Sequence, residues 1–197
     1  MKDDSLEKKD SEELYENNYD KQDGNKKQMS ATLDWLISIV IAVVIALLIK
    51  TYIFEPTRIE GSSMNMTLQT EDRVIVDKIG MKFREIKRGD IIVMEYDTDH
   101  DYIKRIVGLP GETIQIIDGN VYINGEIFDE PYAYGEYTET INGFEWYLEE
   151  DEYFVMGDNR QPGGSTDSRV FGPINLDKIQ GVAKFRFWPL DSIGLIK

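Results

Sequence analysis

The sequence predicts a mainly β protein: antiparallel sheets forming a compact β domain, preceded by one N-terminal transmembrane helix. Three observations predict it. From residue 55 to the end, short apolar runs recur between turn residues, with little helical periodicity. The dipeptide Asn124-Gly125 separates two of those runs and is a strong signal for a two-residue hairpin. Ahead of them, residues 35–54 are almost uninterruptedly apolar, about the twenty residues that a helix needs to cross a bilayer.

Residues 1–34 read as a disordered cytoplasmic tail, because residues 1–30 hold nine acids and six lysines and almost nothing apolar to offset the entropy of ordering. Residues 35–54 read as a transmembrane signal-anchor helix. Lys50 is the single charge inside it, about one turn from its end, where the long stem can carry the ammonium to the headgroups. Trp35 and Tyr52 lie near the two ends, as amphipathic rings at interfaces do. A removable signal peptide is disfavoured: the polar tail is long, and no small-x-small pattern follows the apolar run. Lys21, Lys26 and Lys27 precede the span while Lys50 and Arg58 follow it. This bias predicts a single-pass protein of the plasma membrane with its N-terminus cytoplasmic and the remaining domain outside.

Residues 55–197 make that extracytoplasmic domain. Its strand-like runs are RVIVDKI from Arg73, DIIVMEY from Asp90, TIQII from Thr113, VYI from Val121 and YFVM from Tyr153. Asp118-Gly119-Asn120 and Asn124-Gly125 flank VYI, and the second turn leads into EIF. Antiparallel sheets around a shared core should result. The segment Pro131 to Glu152, rich in Tyr, Glu and Gly, reads as a long polar excursion.

Composition removes several kinds of chemistry. A formal net charge of -15 argues against a phosphate-tracking surface, so no nucleic-acid partner is expected. With no cysteine there is no disulfide, no thiolate nucleophile and no cysteine-ligated metal, and with His100 the single histidine a histidine-rich metal site is out of reach. No metal and no cofactor are expected.

Three segments remain that can carry chemistry. In the first, Gly61-Ser62-Ser63 precedes a short apolar stretch; such a serine either serves its turn or acts as a nucleophile. In the second, Lys104 lies in the strand-like run from Tyr102 to Leu109, with Tyr102 and Ile106 on its side and Ile103 and Arg105 on the other. Such a lysine either snorkels to water or, if covered, is desolvated. An ordinary lysine, with a pKa of about 10.4, is neutral in roughly one copy in 2,500 at pH 7, and burial can lower that pKa by several units. A neutral Lys104 could then take the proton of Ser63. The third segment, Met156 to Gly172, is rich in Gly, Asp, Asn, Arg and Ser. Its Asp158, Arg160, Asp167 and Arg169 either satisfy local turns or form a charge-assisted network that holds neighbouring strands in register.

In this order, the three segments resemble the bacterial type I signal peptidases. The motifs stand here as Ser63-Met64-Asn65-Met66-Thr67-Leu68, as Tyr102-Ile103-Lys104-Arg105 leading into Gly108-Leu109-Pro110-Gly111, and as Gly157-Asp158-Asn159-Arg160 followed by Ser165-Thr166-Asp167-Ser168-Arg169. The likeness covers residues 35–197 with gaps in the middle. It implies a membrane-bound serine endopeptidase that cuts N-terminal signal peptides from exported preproteins after small-x-small sites. By the resemblance Ser63 is the nucleophile and Lys104 the general base, Ser165 hydrogen-bonds the lysine amine, and Asp167 and Arg169 support that geometry. The same resemblance implies that the backbone N–H groups of Ser63 and Gly61 form the oxyanion hole. Ile59, Met64, Leu68, Val74, Val93, Tyr102 and Ile103 match the walls of the substrate pocket, although ordinary β core uses the same residue types. The implied partners are secreted preproteins, the lipid bilayer and the protein export machinery. Ser63 follows Phe54 by nine residues, so an extended chain holds it within roughly 30 Å of the membrane surface.

The sequence departs from the family pattern at four places. Met66 stands where proline is usual, which removes one rigid backbone angle behind the nucleophile. Gln161-Pro162-Gly163-Gly164 places two extra residues before Ser165, enough to displace that serine from Lys104. Glu71 replaces a usual glycine and Glu112 a usual aspartate. Competing functions are a non-catalytic signal-peptidase-like chaperone or a dedicated peptidase in surface pilus assembly. The chaperones lack the dyad that Ser63 and Lys104 would form. Self-cleaving SOS repressors join a Ser/Lys fold to a soluble DNA-binding domain, which the apolar span excludes. A Ser/His protease built on His100 would need an acid partner, and its strand neighbours Asp99 and Asp101 face away from it.

Overall fold

The strand-like runs pair into two antiparallel sheets. The structure, a computed structural model, describes residues 32–47, 54–96 and 101–196, and divides the chain into two units, Met1–Ile49 and Lys50–Lys197. In the first unit, residues 32–47 form helix α1, whose residues are all exposed, including Leu36, Val40, Val44 and Leu47. Among the described residues no helix is long and apolar enough to cross a membrane. The expected span over 35–54 runs past α1 into residues 48–53, which lie outside the described residues, as do tail residues 1–31.

In the second unit the strands are β1 (Phe54–Arg58), β2 (Arg73–Asp77), β3 (Ile91–Glu95), β4 (Asp101–Gly108), β5 (Thr113–Ile117), β6 (Asn120–Ile123), β7 (Glu126–Ile127), β8 (Glu145–Tyr147), β9 (Glu152–Met156), β10 (Ile174–Asn175), β11 (Ile179–Trp188) and β12 (Gly194–Leu195). Two short helices, α2 (Gly80–Phe83) and α3 (Ser168–Phe171), join them. The larger sheet runs β1-β2-β11-β3-β4-β9-β10, with β12 on β11, and the smaller runs β7-β6-β5-β8. The expected hairpin forms: β6 pairs with β7, and both Asn124 and Gly125 have positive φ, 52° and 83°, as a type I′ turn requires.

Burial follows from each strand's place. β2 lies near the sheet edge and alternates, burying Val74 and Val76 while exposing Arg73. β3 lies between β11 and β4 and is buried on both faces, so Ile91, Ile92, Val93 and Met94 read as a continuous apolar run. Ile92 and Met94 join one core cluster and Ile91 and Val93 another, as period-two alternation demands. The same alternation sends Val155 to the first cluster and Phe154 and Met156 to a third, which packs on Ile114, Ile116 and Val121 of the smaller sheet. The expected shared core is this third cluster, to which both sheets contribute, and two further clusters pack against the larger sheet. The segment from Pro131 to Glu152 is less polar than its composition suggests: it contains β8, and Leu148 is fully buried in the third cluster.

Candidate active site

Ser63 sits in the turn that follows β1. Ile59 N–H donates to Asp72 O (2.8 Å) and Glu71 N–H to Ile59 O (2.9 Å), so the two ends of the loop are tied together. Met64 and Leu68 are buried beneath it, and Leu68 N–H closes back on Met64 O at 2.8 Å. Its outer side is held by Asn159, whose N–H donates to Ser63 O (2.9 Å) and whose side-chain amide donates to Ser62 O (3.1 Å). Thr67 Oγ1 donates to Asp158 Oδ2 at 2.5 Å. Gly157 touches the loop as well: a Cβ there would lie 2.4 Å from Ser63 O and 2.3 Å from Ser165 Oγ, so only glycine fits.

Two departures from the family pattern now have a structural meaning. Met66 has φ 81° and Glu71 φ 78°, both in the left-handed region that favours glycine. Proline, fixed near φ −65°, cannot occupy position 66, so the loop follows a different path rather than a looser version of the usual one. Met66→Gly is expected to raise stability by up to about 1 kcal/mol, because it relieves the left-handed penalty at an exposed side chain. Met66→Pro should lower it by more than that, and urea unfolding of the two variants checks both signs.

Lys104 lies in the middle of the larger sheet, opposite Ile92 of β3, and is only 3% exposed. Its Nζ donates to Ser63 Oγ at 3.0 Å and to Ile103 O at 2.9 Å. Burial lowers its pKa from the usual lysine value to about 8, against the pull of the Asp167 and Asp158 carboxylates, which favour the ammonium. The Tyr102 ring covers it, with Nζ 4.8 Å from the ring centroid. The covered alternative for this lysine is thus the one realised, and the snorkelling alternative is not.

The loop after β9 supplies the supporting charges, in pairings different from those expected. Asp167 is fully buried and caps α3, accepting from Arg169 N–H (3.2 Å), Arg169 Nε and Nη2 (both 2.8 Å) and Gly157 N–H (3.1 Å). Burial alone would raise its pKa, but the bonds and charge of Arg169 outweigh that and hold the carboxyl below its usual range. Asp158 pairs with Arg105 through Nε (2.8 Å) and Nη2 (2.7 Å), and Arg160 pairs with Glu130. The alternative of one network among the four charges is therefore corrected: Asp167 and Arg169 pair within the loop, and the other two reach across the fold. Ser165 is buried beside the dyad, but its Oγ has no hydrogen-bond partner among the described residues that satisfies hydrogen-bond geometry, although it lies near enough to Asp167 to favour that carboxylate. The expected Ser165–Lys104 bond is not formed. Its hydroxyl packs on Gly157, and the amine's bonds go to Ser63 and Ile103.

An open cleft of about 480 Å³ runs over Ser63 and Lys104. Of the seven expected pocket residues, Ile59, Val93, Tyr102 and Ile103 line it. Met64, Leu68 and Val74 stand behind that wall in the same core cluster as Ile59 and Val93. Gly61 and Ser63 face the cleft, and among the described residues neither N–H is a donor in the backbone hydrogen bonds outside regular elements. Gly163 and Gly164 of the longer loop also line it, in a turn closed by Gly164 N–H on Gln161 O at 2.8 Å. Thr67, Arg105 and Asn159 hold the site although no role was expected for them; all three lie within the family-like motifs, but nothing local names their partners. Glu112 clamps its turn through Arg88 (2.6 and 2.9 Å) and Leu109 N–H (2.8 Å). His100 lies outside the described residues, and among those described no cluster of ligating side chains could hold a metal ion.

Comparison with known proteins matches residues 32–188 to a family model described as signal peptidase, peptidase S26. The chain is 40% identical over 177 residues to a signal peptidase I of Bacillus amyloliquefaciens, covering 85% of this chain and 94% of that protein. It is 41% identical over 182 residues to signal peptidase I T of Bacillus subtilis strain 168, covering 87% and 93%. It is also 37% identical over 176 residues to signal peptidase IB of Staphylococcus aureus strain Mu50, covering 81% and 91%. A crystal structure of a signal peptidase I from Enterococcus faecalis V583 is 31% identical, with a TM-score of 0.41, covering 50% of this chain and 97% of that one.

Proposed function

This chain belongs to the signal peptidase family, peptidase S26, and cleaves signal peptides from secreted preproteins as a type I signal peptidase, and from that premise we propose that Ser63 is its nucleophile and Lys104 its general base. The observation that supports this reading is the 3.0 Å contact between Ser63 Oγ and a buried amine. With a pKa of about 8, about a tenth of Lys104 is neutral at pH 7, roughly two-hundredfold more than for an ordinary lysine. That neutral amine takes the hydroxyl proton as Ser63 Oγ attacks the scissile carbonyl. The Ser63 and Gly61 N–H groups stabilise the oxyanion, Lys104 returns the proton to the leaving amine, and water then releases the acyl group. Asp167 and Arg169 hold the loop that carries Ser165 against the dyad. Ile59, Val93, Tyr102 and Ile103 form an apolar wall that favours substrates with small side chains before the cut.

We propose further that residues 35–54 anchor the enzyme in the plasma membrane, with the tail cytoplasmic and residues 55–197 outside. The exposure of the apolar side chains along α1 supports this reading, since a helix apolar all round requires a protein or lipid environment. Preproteins emerging from the export machinery would then meet Ser63 near the bilayer. The test of the dyad is a pH profile for cleavage of a purified, labelled preprotein. Because the base acts unprotonated, kcat/KM should rise tenfold per pH unit below about 8 and level off above it. A flat profile from pH 6 to pH 9 would remove Lys104 as the base.

A further inference from the structure

The ring that covers Lys104 is itself held from behind. Tyr96, at the end of β3, stacks on Tyr102 with ring centroids 4.3 Å apart and planes 8° from parallel. The ring of Phe171, from α3, meets Tyr96 at 5.3 Å and 48°. Tyr96 thus joins three elements of the site: the β3 end, the lysine strand β4, and helix α3, which Asp167 caps and which carries Arg169. It lies outside the cleft lining and is 40% exposed, which is poor use of a large ring if its task were only core packing.

We propose that Tyr96 is a positioning residue for catalysis, acting through Tyr102 to keep water away from the Lys104 amine. The proposal rests on Lys104 being the base. Two opposed effects follow from loosening the Tyr102 ring. Losing its attraction for the ammonium would lower the lysine pKa, and admitting water would raise it. Hydration is the larger effect, because burial is the principal cause of the depressed value. The charges that act on the amine are Asp167 and Asp158 from the loop after β9, while Asp101 on β4 lines the cleft with Arg58 and Glu60. Arg105, next on β4, and Glu95, at the end of β3, are the other charges on the paired strands. Tyr96→Ala alters none of them.

The experiment is kcat/KM against pH, from about 6 to 10, for wild type, Tyr96→Ala, Tyr96→Leu and Tyr96→Phe on the same preprotein. The acid limb of Tyr96→Ala should move up by about one unit, giving roughly tenfold lower activity at pH 7 and near-equal activity at pH 10. Tyr96→Leu, which fills space but cannot stack, should move it in the same direction. Tyr96→Phe keeps the stack and should overlay the wild type, which separates stacking from titration of the phenol. A wild-type limb near pH 8 with unmoved alanine and leucine limbs overturns the role of Tyr96 and leaves the dyad standing. Activity surviving in Lys104→Ala, run alongside, overturns the dyad itself.

Discussion

Ser63→Ala and Lys104→Ala are each expected to lower kcat for preprotein cleavage by on the order of 10⁴-fold or more, since residues that act as one proton-transfer unit fail together. Loss of activity alone does not distinguish a missing catalyst from a missing fold, and Lys104 does. In the folded protein its pKa is about 8, whereas in an unfolded chain it is about 10.4. Between those values the unfolded chain binds more protons, so stability rises with pH across that window. Below pH 8 the full penalty of burying the amine stands, about 3 kcal/mol, and it fades as the pH nears 10.4. Lys104→Met should therefore be inactive yet about 3 kcal/mol more stable than wild type at pH 7, with little difference near pH 10.5. Urea unfolding at the two pH values measures this. A methionine variant less stable at pH 7 would contradict the burial account, and full processing by Ser63→Ala would remove the nucleophile.

The second large effect belongs to the buried pair of Arg105 and Asp158, whose side chains are 2% and 0% exposed. Asp158→Ala leaves a buried guanidinium, held by Gly89 O, Thr67 Oγ1 and the Tyr132 ring, without its carboxylate, and should cost about 3–5 kcal/mol. For a unit of this size that lowers Tm by on the order of 10 °C. The double variant Arg105→Met with Asp158→Leu removes both charges and should recover most of the loss. It should not recover kcat, because Thr67 still lacks the acceptor that, with Asn159, ties the Ser63 loop to the loop after β9. Calorimetry and the preprotein assay on the three proteins separate the effects. Recovery of activity along with stability would show that the Thr67 contact contributes nothing to catalysis.

Much of the fold was legible because its signals are local. The Asn124-Gly125 hairpin, the alternating run of β2 and the continuous run of β3 are written in stretches of a few residues, each in the backbone preferences or burial period of its own segment. Ser63 and Lys104 each had an ordinary local reading, and only the resemblance of three ordered motifs to a family singled them out. The pairing of the supporting charges had no such signal. Asp158 and Arg160 are two residues apart, yet one reaches Arg105 and the other Glu130, choices made by which strands flank β9 and by how the segment after β7 folds back. The left-handed backbone at Met66 and Glu71 was equally hidden, because it runs against the preference of those side chains and is imposed by the ties at both ends of the loop.

From the sequence alone came β2 to β7 and β9, the turns on either side of β6, the proposed pair Ser63 and Lys104, and the resemblance to the family, all properties of short segments. Tertiary structure decided which apolar residues line the cleft and which stand behind it, which carboxylate neutralises which guanidinium, and that the lysine is buried. The physical reason is that β11 inserts between β2 and β3, bringing together residues far apart in the chain. A lysine's pKa depends on everything packed around it, and only the assembled sheets supply that packing.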